Sequence, residues 1–132
     1  MERTLMIIKP DAVAAKNIGN IVARVEREGF NVTGLRFMQM TKEQASEFYA
    51  VHKERPFFGD LVRYMTSGPV VVGHLERDNA VEHWRSVIGA TDPQKASEGT
   101  IRKLYGTSIE ANAVHGSDSP ENGAKETDFF FA

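Results

Sequence analysis

Apolar residues along this chain come in short blocks whose spacing switches between a strand period and a helix period. Thr4–Lys9 (TLMIIK) is a compact β-favouring run that stops at Pro10, and it predicts a buried strand. Ile18, Ile21, Val22 and Val25 recur at helical spacing, with Gly29 as the C-cap that closes the helix. Asn31–Met40, apolar at Val32, Leu35, Phe37 and Met38, predicts a second strand. Thr41 followed by Gln44 is a capping-box signal, opening a helix whose inner face carries Ala45, Phe48, Tyr49 and His52. Pro56 breaks that pattern and Phe58, Leu61, Val62 and Met65 begin another, so a helical elbow with Phe57 at its joint is expected. Gly68-Pro69 marks the next break, Pro69–Leu75 predicts a third strand, and Ala80, Val81, Trp84 and Ile88 a further helix. From Gly89 to Glu110 the periodicity fades into a glycine-punctuated loop around a short helical turn at Thr100–Leu104. Asn112–His115 predicts a brief fourth strand, and Ser119-Pro120 the N-cap and first residue of a last helix that Gly123 weakens.

The resulting order is β-α-β-α-α-β-α-loop-β-α. Without the extra helices it reduces to βαββαβ, the split pattern of a ferredoxin-like α+β sandwich: a four-stranded antiparallel sheet covered by helices. At 132 residues the chain suits one domain, 1–132, with no need for a covalent staple. Zero cysteines exclude disulfides, thiolate nucleophiles and the usual structural zinc sites. Sixteen Lys+Arg against 18 Asp+Glu leave a net charge of -2, so bulk charge gives no attraction to nucleic acid or an anionic membrane. Apolar runs such as Leu5–Ile8 and Val70–Val72 fall far short of the roughly 20 residues a membrane span requires, and nothing after Met1 resembles a secretory signal. A soluble cytoplasmic protein without membrane or specific nucleic-acid partners is expected.

Candidate chemistry concentrates late in the chain. Arg85, Thr91 and Arg102 lie beside glycines that permit close backbone approach, and two guanidiniums with a hydroxyl suit a polyphosphate. There is no glycine-rich loop ending in Lys-Ser or Lys-Thr, and Lys9-Pro10-Asp11 stands where a dinucleotide-binding turn would be, so neither common nucleotide motif applies. His115 ends a short apolar strand directly before Gly116, where its ring can project into a cleft. A neutral imidazole, reference pKa ~6.5, is an available nucleophile if an acceptor holds its second nitrogen. Glu126 is the nearest later carboxylate with reach; Asp118 and Glu121 compete with it. His52, His74 and His83 lack metal-ligand spacing, and no carboxylate or hydroxyl constellation is expected around His74 or His83. Phe57 falls outside the helical stripe of Phe58, Leu61, Val62 and Met65, and serves either as a stacking platform for a flat ligand or as a satellite core residue.

The segment Asn112-Ala-Val-His115-Gly-Ser-Asp118, with Lys9-Pro10-Asp11 and Gly99-Thr-Ile-Arg102, resembles nucleoside diphosphate kinase. The likeness spans essentially the whole chain and includes Phe48-Tyr49, His52, Pro56-Phe57-Phe58, Ser67-Gly68-Pro69-Val70 and Gly89-Ala90-Thr91-Asp92-Pro93. The resemblance implies that His115 takes the γ-phosphoryl group of ATP or another nucleoside triphosphate on Nδ1 and passes it to a nucleoside diphosphate. It implies that Glu126 accepts a hydrogen bond from the other ring nitrogen and that Ser117 holds that carboxylate. Lys9 and Tyr49 would flank the transferring group, with Lys9 also touching the ribose. Arg85, Thr91 and Arg102 would hold the phosphates, Asn112 the ribose, and Phe57 the base. Mg²⁺ would bridge the phosphates, with Asp118 reaching it through water, and the chain would assemble as a homotetramer or homohexamer.

Three departures from the family pattern stand close to these residues. Glu98 replaces a usual proline and is expected to loosen the loop that carries Arg102. Leu104 falls where an acid is usual, and Asn122-Gly123 replaces better helix formers ahead of Glu126. The run Phe129-Phe-Phe at the end of the sequence belongs to a core or to an interface. Two other classes fit the pattern less well. A silent nucleotide-binding member of the fold would not need both His115 and Glu126, and an RNA-binding ferredoxin-like domain would be more basic.

Overall fold

The fold is seen in a computed structural model that describes residues 1–131. Its central element is β1 (Glu2–Ile8), in which Thr4 to Ile8 are all buried. A strand with no exposed side must have both faces covered, and this one does. Met6 and Ile8 belong to one core cluster, Leu5 and Ile7 to another. β1 lies between β3 (Val70–Arg77) and the two-residue β4 (Val114–His115), while β2 (Asn31–Met38) pairs only with β3. All three pairings are antiparallel and the order is β2-β3-β1-β4, the sheet expected of the ferredoxin-like pattern.

Helices cover both faces. On one, α2 (Ile18–Arg27) and α5 (Ala80–Ile88) deliver Ile21, Val25, Trp84 and Ile88 against Met6, Ile8 and Leu75. On the other, α3 (Lys42–Phe48), α4 (Phe58–Met65) and α7 (Pro120–Phe131) deliver Ala45, Val62, Met65 and Phe130 against Leu5, Ile7 and Val72. Burying each large aliphatic or aromatic side chain contributes ~1.5–3 kcal/mol, so these two clusters hold the layers together. Two shorter helices, α1 (Pro10–Ala14) and α6 (Ile101–Tyr105), border the end of the sheet where β1 and β4 meet. Among the described residues, no helix is long and apolar enough to cross a membrane.

Several elements differ in detail from the sequence reading. Pro10 ends β1 but also starts α1, because a proline's missing N–H is harmless at the first helical position. The helix opened by the Thr41–Gln44 capping box, which is present, stops at Phe48 and does not run on to His52. Tyr49 is its C-cap and turns its ring inward beside Phe48, after which Ala50–His52 form a tighter 3-10 turn. The fourth strand shrinks to two residues because Ala113 takes a left-handed conformation, φ +76°, that no strand continues through. The aromatics Phe129, Phe130 and Phe131 are core: Phe130 is buried, its neighbours pack on the second cluster, and Arg36 donates Nη1 to the Phe130 carbonyl at 2.9 Å.

Candidate active site

The antiparallel register of β1 and β4 sets Ile7 opposite His115 and Ile8 opposite Val114. Lys9, the first residue past β1, therefore arrives at the end of the sheet from which His115 projects, and its N–H donates to the Ala113 carbonyl at 2.8 Å. The strained Ala113 is held by Asp11, whose Oδ2 accepts the Ala113 N–H at 3.1 Å and whose Oδ1 accepts the Tyr64 hydroxyl. Burial, then the Asp11 carboxylate, raise the Tyr64 phenol well above its usual range, so it remains a donor.

The His115 ring is oriented by a chain of hydrogen bonds. Nε2 lies 2.8 Å from Glu126 Oε1, and the same oxygen accepts the Ser117 hydroxyl at 2.8 Å. Ser117 is fully buried and its Oγ accepts the Leu5 N–H at 3.1 Å, so the chain is tied to β1. A carboxylate only accepts, which assigns the proton to Nε2 and the lone pair to Nδ1. Nδ1 has no hydrogen-bond partner among the described residues. Trp84 Nε1 donates to the His115 carbonyl at 3.2 Å, and Phe48 sits edge-on to the imidazole at 5.7 Å. Of the three carboxylates in reach by sequence, Glu126 is the one bonded to the ring.

Glu126 is delivered by α7, capped by Ser119, whose Oγ accepts the Asn122 N–H at 3.1 Å. Gly123 does more than weaken this helix. It is buried, and a Cβ there would run into the Arg3 carbonyl oxygen of β1. The missing side chain lets α7 lie close enough to the sheet for Glu126 to reach His115.

The cationic side is separate. Lys9 Nζ donates to Asn112 Oδ1 at 2.8 Å, and Asn112 Nδ2 donates to the Thr91 carbonyl at 3.0 Å, joining three of the expected site residues. Arg102 donates Nη1 to the Gly89 carbonyl (3.0 Å) and Nη2 to the Val114 carbonyl (2.9 Å), while its buried Nε has no partner. Burial, then Arg102, lower the Lys9 ammonium to about 8, and burial, then Arg85, lower the Arg102 guanidinium to about 10. None of Lys9, Arg85 and Arg102 forms an ion pair with a carboxylate among the described residues. Asp11 and Glu110 offset only part of the Lys9 shift, and cations held this close without a directly paired carboxylate favour an anion.

Phe48, Tyr49, His52, His115, Asp118 and Glu126 line a cleft of about 390 Å³. Burial, then Glu126, push the Tyr49 phenol well up, which keeps it protonated. Arg85 lines an adjoining cleft of about 330 Å³ that shares Asp118. Phe57 is 47% exposed and lies 5.5 Å from the His52 ring, so the sequence alternative of a satellite core residue falls away. Among the described residues no group of three His, Asp or Glu side chains converges to hold a metal ion. Asp118 is exposed and lines both clefts.

The His115 ring thus has one nitrogen held by a carboxylate and the other, Nδ1, without a partner among the described residues. Sequence comparison decides the family: the model described as "Nucleoside diphosphate kinase" matches residues 2–132. The chain belongs to the nucleoside diphosphate kinase family. Among nucleoside diphosphate kinases, it is 61% identical to that of Nitratiruptor sp., over all of this chain and 96% of that protein. It is 57% identical to that of Chlorobium luteolum, over all of this chain and 94% of that one. The solved nucleoside diphosphate kinase of Aquifex aeolicus superimposes with a TM-score of 0.97 at 46% identity, covering 99% of this chain and 95% of that chain. That of Halobacterium salinarum, solved in complex with CDP, superimposes at 0.95 with 42% identity, covering 98% of this chain and 87% of that chain. Membership makes the chain a phosphotransferase enzyme.

Against the nucleoside diphosphate kinase pattern, the departures look different in three dimensions. Leu104 is 55% exposed on α6, so replacing an acid there disturbs no packing. Beside Glu98, the Gly99 carbonyl accepts Arg24 Nη1 at 2.8 Å, a bond that ties this loop to α2. His83 and His74 have partners that the sequence did not suggest: Glu28 Oε1 lies 2.9 Å from His83 Nε2, and the Thr33 hydroxyl meets His74 Nδ1. Asp11, Tyr64 and Arg24 are supporting residues that sequence reasoning missed. Asp11 had a signal, standing next but one to Lys9; the Tyr64 contact spans 53 positions and had none.

Proposed function

We propose that this enzyme moves the γ-phosphoryl group of a nucleoside triphosphate, typically ATP, to a nucleoside diphosphate through a phosphohistidine on His115. The observation that carries the reading is the His115 ring itself, with Nε2 held by the Glu126–Ser117 pair and Nδ1 free at a cleft. Nδ1 forms an N–P bond as the bond from the γ-phosphorus to the bridging oxygen breaks, and the diphosphate leaves. A second diphosphate then attacks the phosphohistidine with a terminal oxygen and the N–P bond breaks, which gives ping-pong kinetics. Phosphoryl transfer is loose, so the residues act by positioning and charge. Glu126 stabilises the ring as it becomes cationic, and Ser117 orients Glu126. Lys9 and Tyr49 flank the transferring group, Arg85, Thr91 and Arg102 hold the phosphates, and Asn112 meets the ribose. Phe57, exposed beside His52, stacks on the base without reading its edge, which fits broad base specificity.

Mg²⁺ bound to the nucleotide supplies charge neutralisation of the phosphates, and Asp118 is the carboxylate that would meet it through water. Nucleotide binding has support in the CDP complex of the Halobacterium salinarum relative. We further assign the 132 residues to one domain, a cytoplasmic location where nucleotides are consumed, and a tetramer or hexamer. The free edge of β2, with Leu35 48% and Phe37 64% exposed, supports self-assembly. Mixing the protein with γ-labelled ATP tests the central claim. An acid-labile, alkali-stable phosphoprotein is expected, and its absence would overturn the reading.

A further inference from the structure

Glu28, just past the end of α2, carries a carboxylate shared between two elements. Its Oε2 accepts Arg24 Nε at 2.8 Å, and its Oε1 lies 2.9 Å from Nε2 of His83 on α5. The hydrogen bonds from Arg24 and His83 hold the Glu28 carboxyl below its ordinary range, so it remains an ionised acceptor. Arg24 has a second bond, from Nη1 to the Gly99 carbonyl at 2.8 Å.

Gly99 takes a left-handed conformation, φ +85°. The next residue, Thr100, caps α6 by accepting the Lys103 N–H at 3.4 Å and donates its hydroxyl to Ser97 at 2.7 Å. Arg102 stands two residues further along. On the other branch, His83 precedes Arg85 by two residues on α5. The Glu28 carboxylate thus ties α5 to the end of α2 through His83, and Arg24, which it braces, ties α2 to the segment that leads into α6. The Arg24 and Glu28 side chains are only 21% and 26% exposed, so the pair is less open to screening than a surface ion pair. The two bonds of Arg24 use different nitrogens of one planar guanidinium, which a lysine's single head group cannot reproduce.

We infer that Arg24, braced by Glu28, is a positioning residue that sets where the Gly99–Arg102 segment, and with it the phosphate-holding guanidinium of Arg102, stands relative to His115. This rests on the reading of Arg102 and Arg85 as phosphate ligands. Arg102 anchors its own side chain to Gly89 and Val114; Arg24 fixes the backbone from which that side chain extends.

The test compares ligands that differ by one phosphate. In Arg24→Met, measured by calorimetry, ADP is expected to bind about 10-fold more weakly while AMP stays within about twofold, since misplacing a positioned group by about 1 Å costs up to about 100-fold. Arg24→Lys keeps the charge and one of the two bonds, and should fall between Arg24→Met and the unaltered protein. A general loosening of the fold would weaken both ligands alike, and that result, or an unchanged ADP affinity, overturns the inference. Should Arg24→Met fail to fold, Arg24→Lys carries the same comparison, with ADP again weakened selectively. Phosphoenzyme formation by the unaltered protein is run alongside. If it fails, the function reading falls; if it succeeds while the ADP-to-AMP ratio stays fixed, the positioning role alone falls.

Discussion

Replacing Gly123 by alanine sets two effects against each other. On propensity alone alanine is favoured, by about 1 kcal/mol in a helix interior. The added Cβ would stand 3.2 Å from the Arg3 carbonyl carbon and overlap the carbonyl oxygen. Ordinary C···O contacts begin at about 3.3 Å, so α7 must retreat from β1 by roughly 1 Å. Overpacking of this kind costs about 1–3 kcal/mol, and subtracting the propensity gain leaves a net loss of up to about 2 kcal/mol. Glu126 lies three residues further along on the same helix face and moves with it. A retreat of that size lengthens the 2.8 Å His115–Glu126 bond to the limit of hydrogen bonding. Phosphoenzyme formation in Gly123→Ala should then slow by about 10-fold, within the 10- to 100-fold span expected for losing a histidine's supporting carboxylate. Urea unfolding reads the stability and rapid quench with γ-labelled ATP reads the rate. A variant more stable by the full helical gain of about 1 kcal/mol, with an unaltered rate, would show that the Gly123–Arg3 approach does not place Glu126.

Three further outcomes are expected. His115→Gln should abolish the phosphoenzyme and turnover while nucleotide affinity stays within about threefold, because binding rests on other groups; retained turnover would move the nucleophile elsewhere. The free enzyme's kcat/KM should fall as pH rises through about 8, since Lys9 is charged below that value and neutral above it. Lys9→Arg, charged throughout, should remove that inflection, and an inflection that survives it would clear Lys9 of responsibility. GDP, CDP and UDP should differ in kcat/KM by less than about 10⁴, the discrimination that buried hydrogen bonds to a base would impose; a larger spread would mean that the base edge is read.

Local signals in the chain were legible wherever a residue's neighbours in sequence decide its conformation. The Thr41–Gln44 capping box, the Ser119 cap and the short turn after Thr100 all form as their residues suggest, because a cap is closed within three or four positions. The run at Leu5–Ile8 announced a strand covered on both faces, and the alternation of periods announced the order of elements. The grouping of His115, Glu126 and Ser117 was legible for a different reason. His115 sits in a segment that resembles the family's motif, and the structure brings His115, Glu126 and Ser117 into one hydrogen-bonded chain, as that resemblance implies.

What the chain could not reveal by itself are contacts between residues far apart along it. By residue type alone, Gly123 is a poor helix former; only the passage of β1 against α7 turns it into a requirement for close approach. Three consecutive aromatics at 129–131 look the same whether they face a core or a partner, and it is Arg36 on β2 and the second apolar cluster that make them core. His83 seemed to stand alone because its carboxylate, Glu28, comes from the C-cap of α2, 55 positions away. Composition and period decide which residues are apolar and where the backbone turns. The depth of a helix against its sheet, the choice of Glu126 from three carboxylates, and the crowding of Lys9 and Arg102 depend on distances that exist only after the layers have packed.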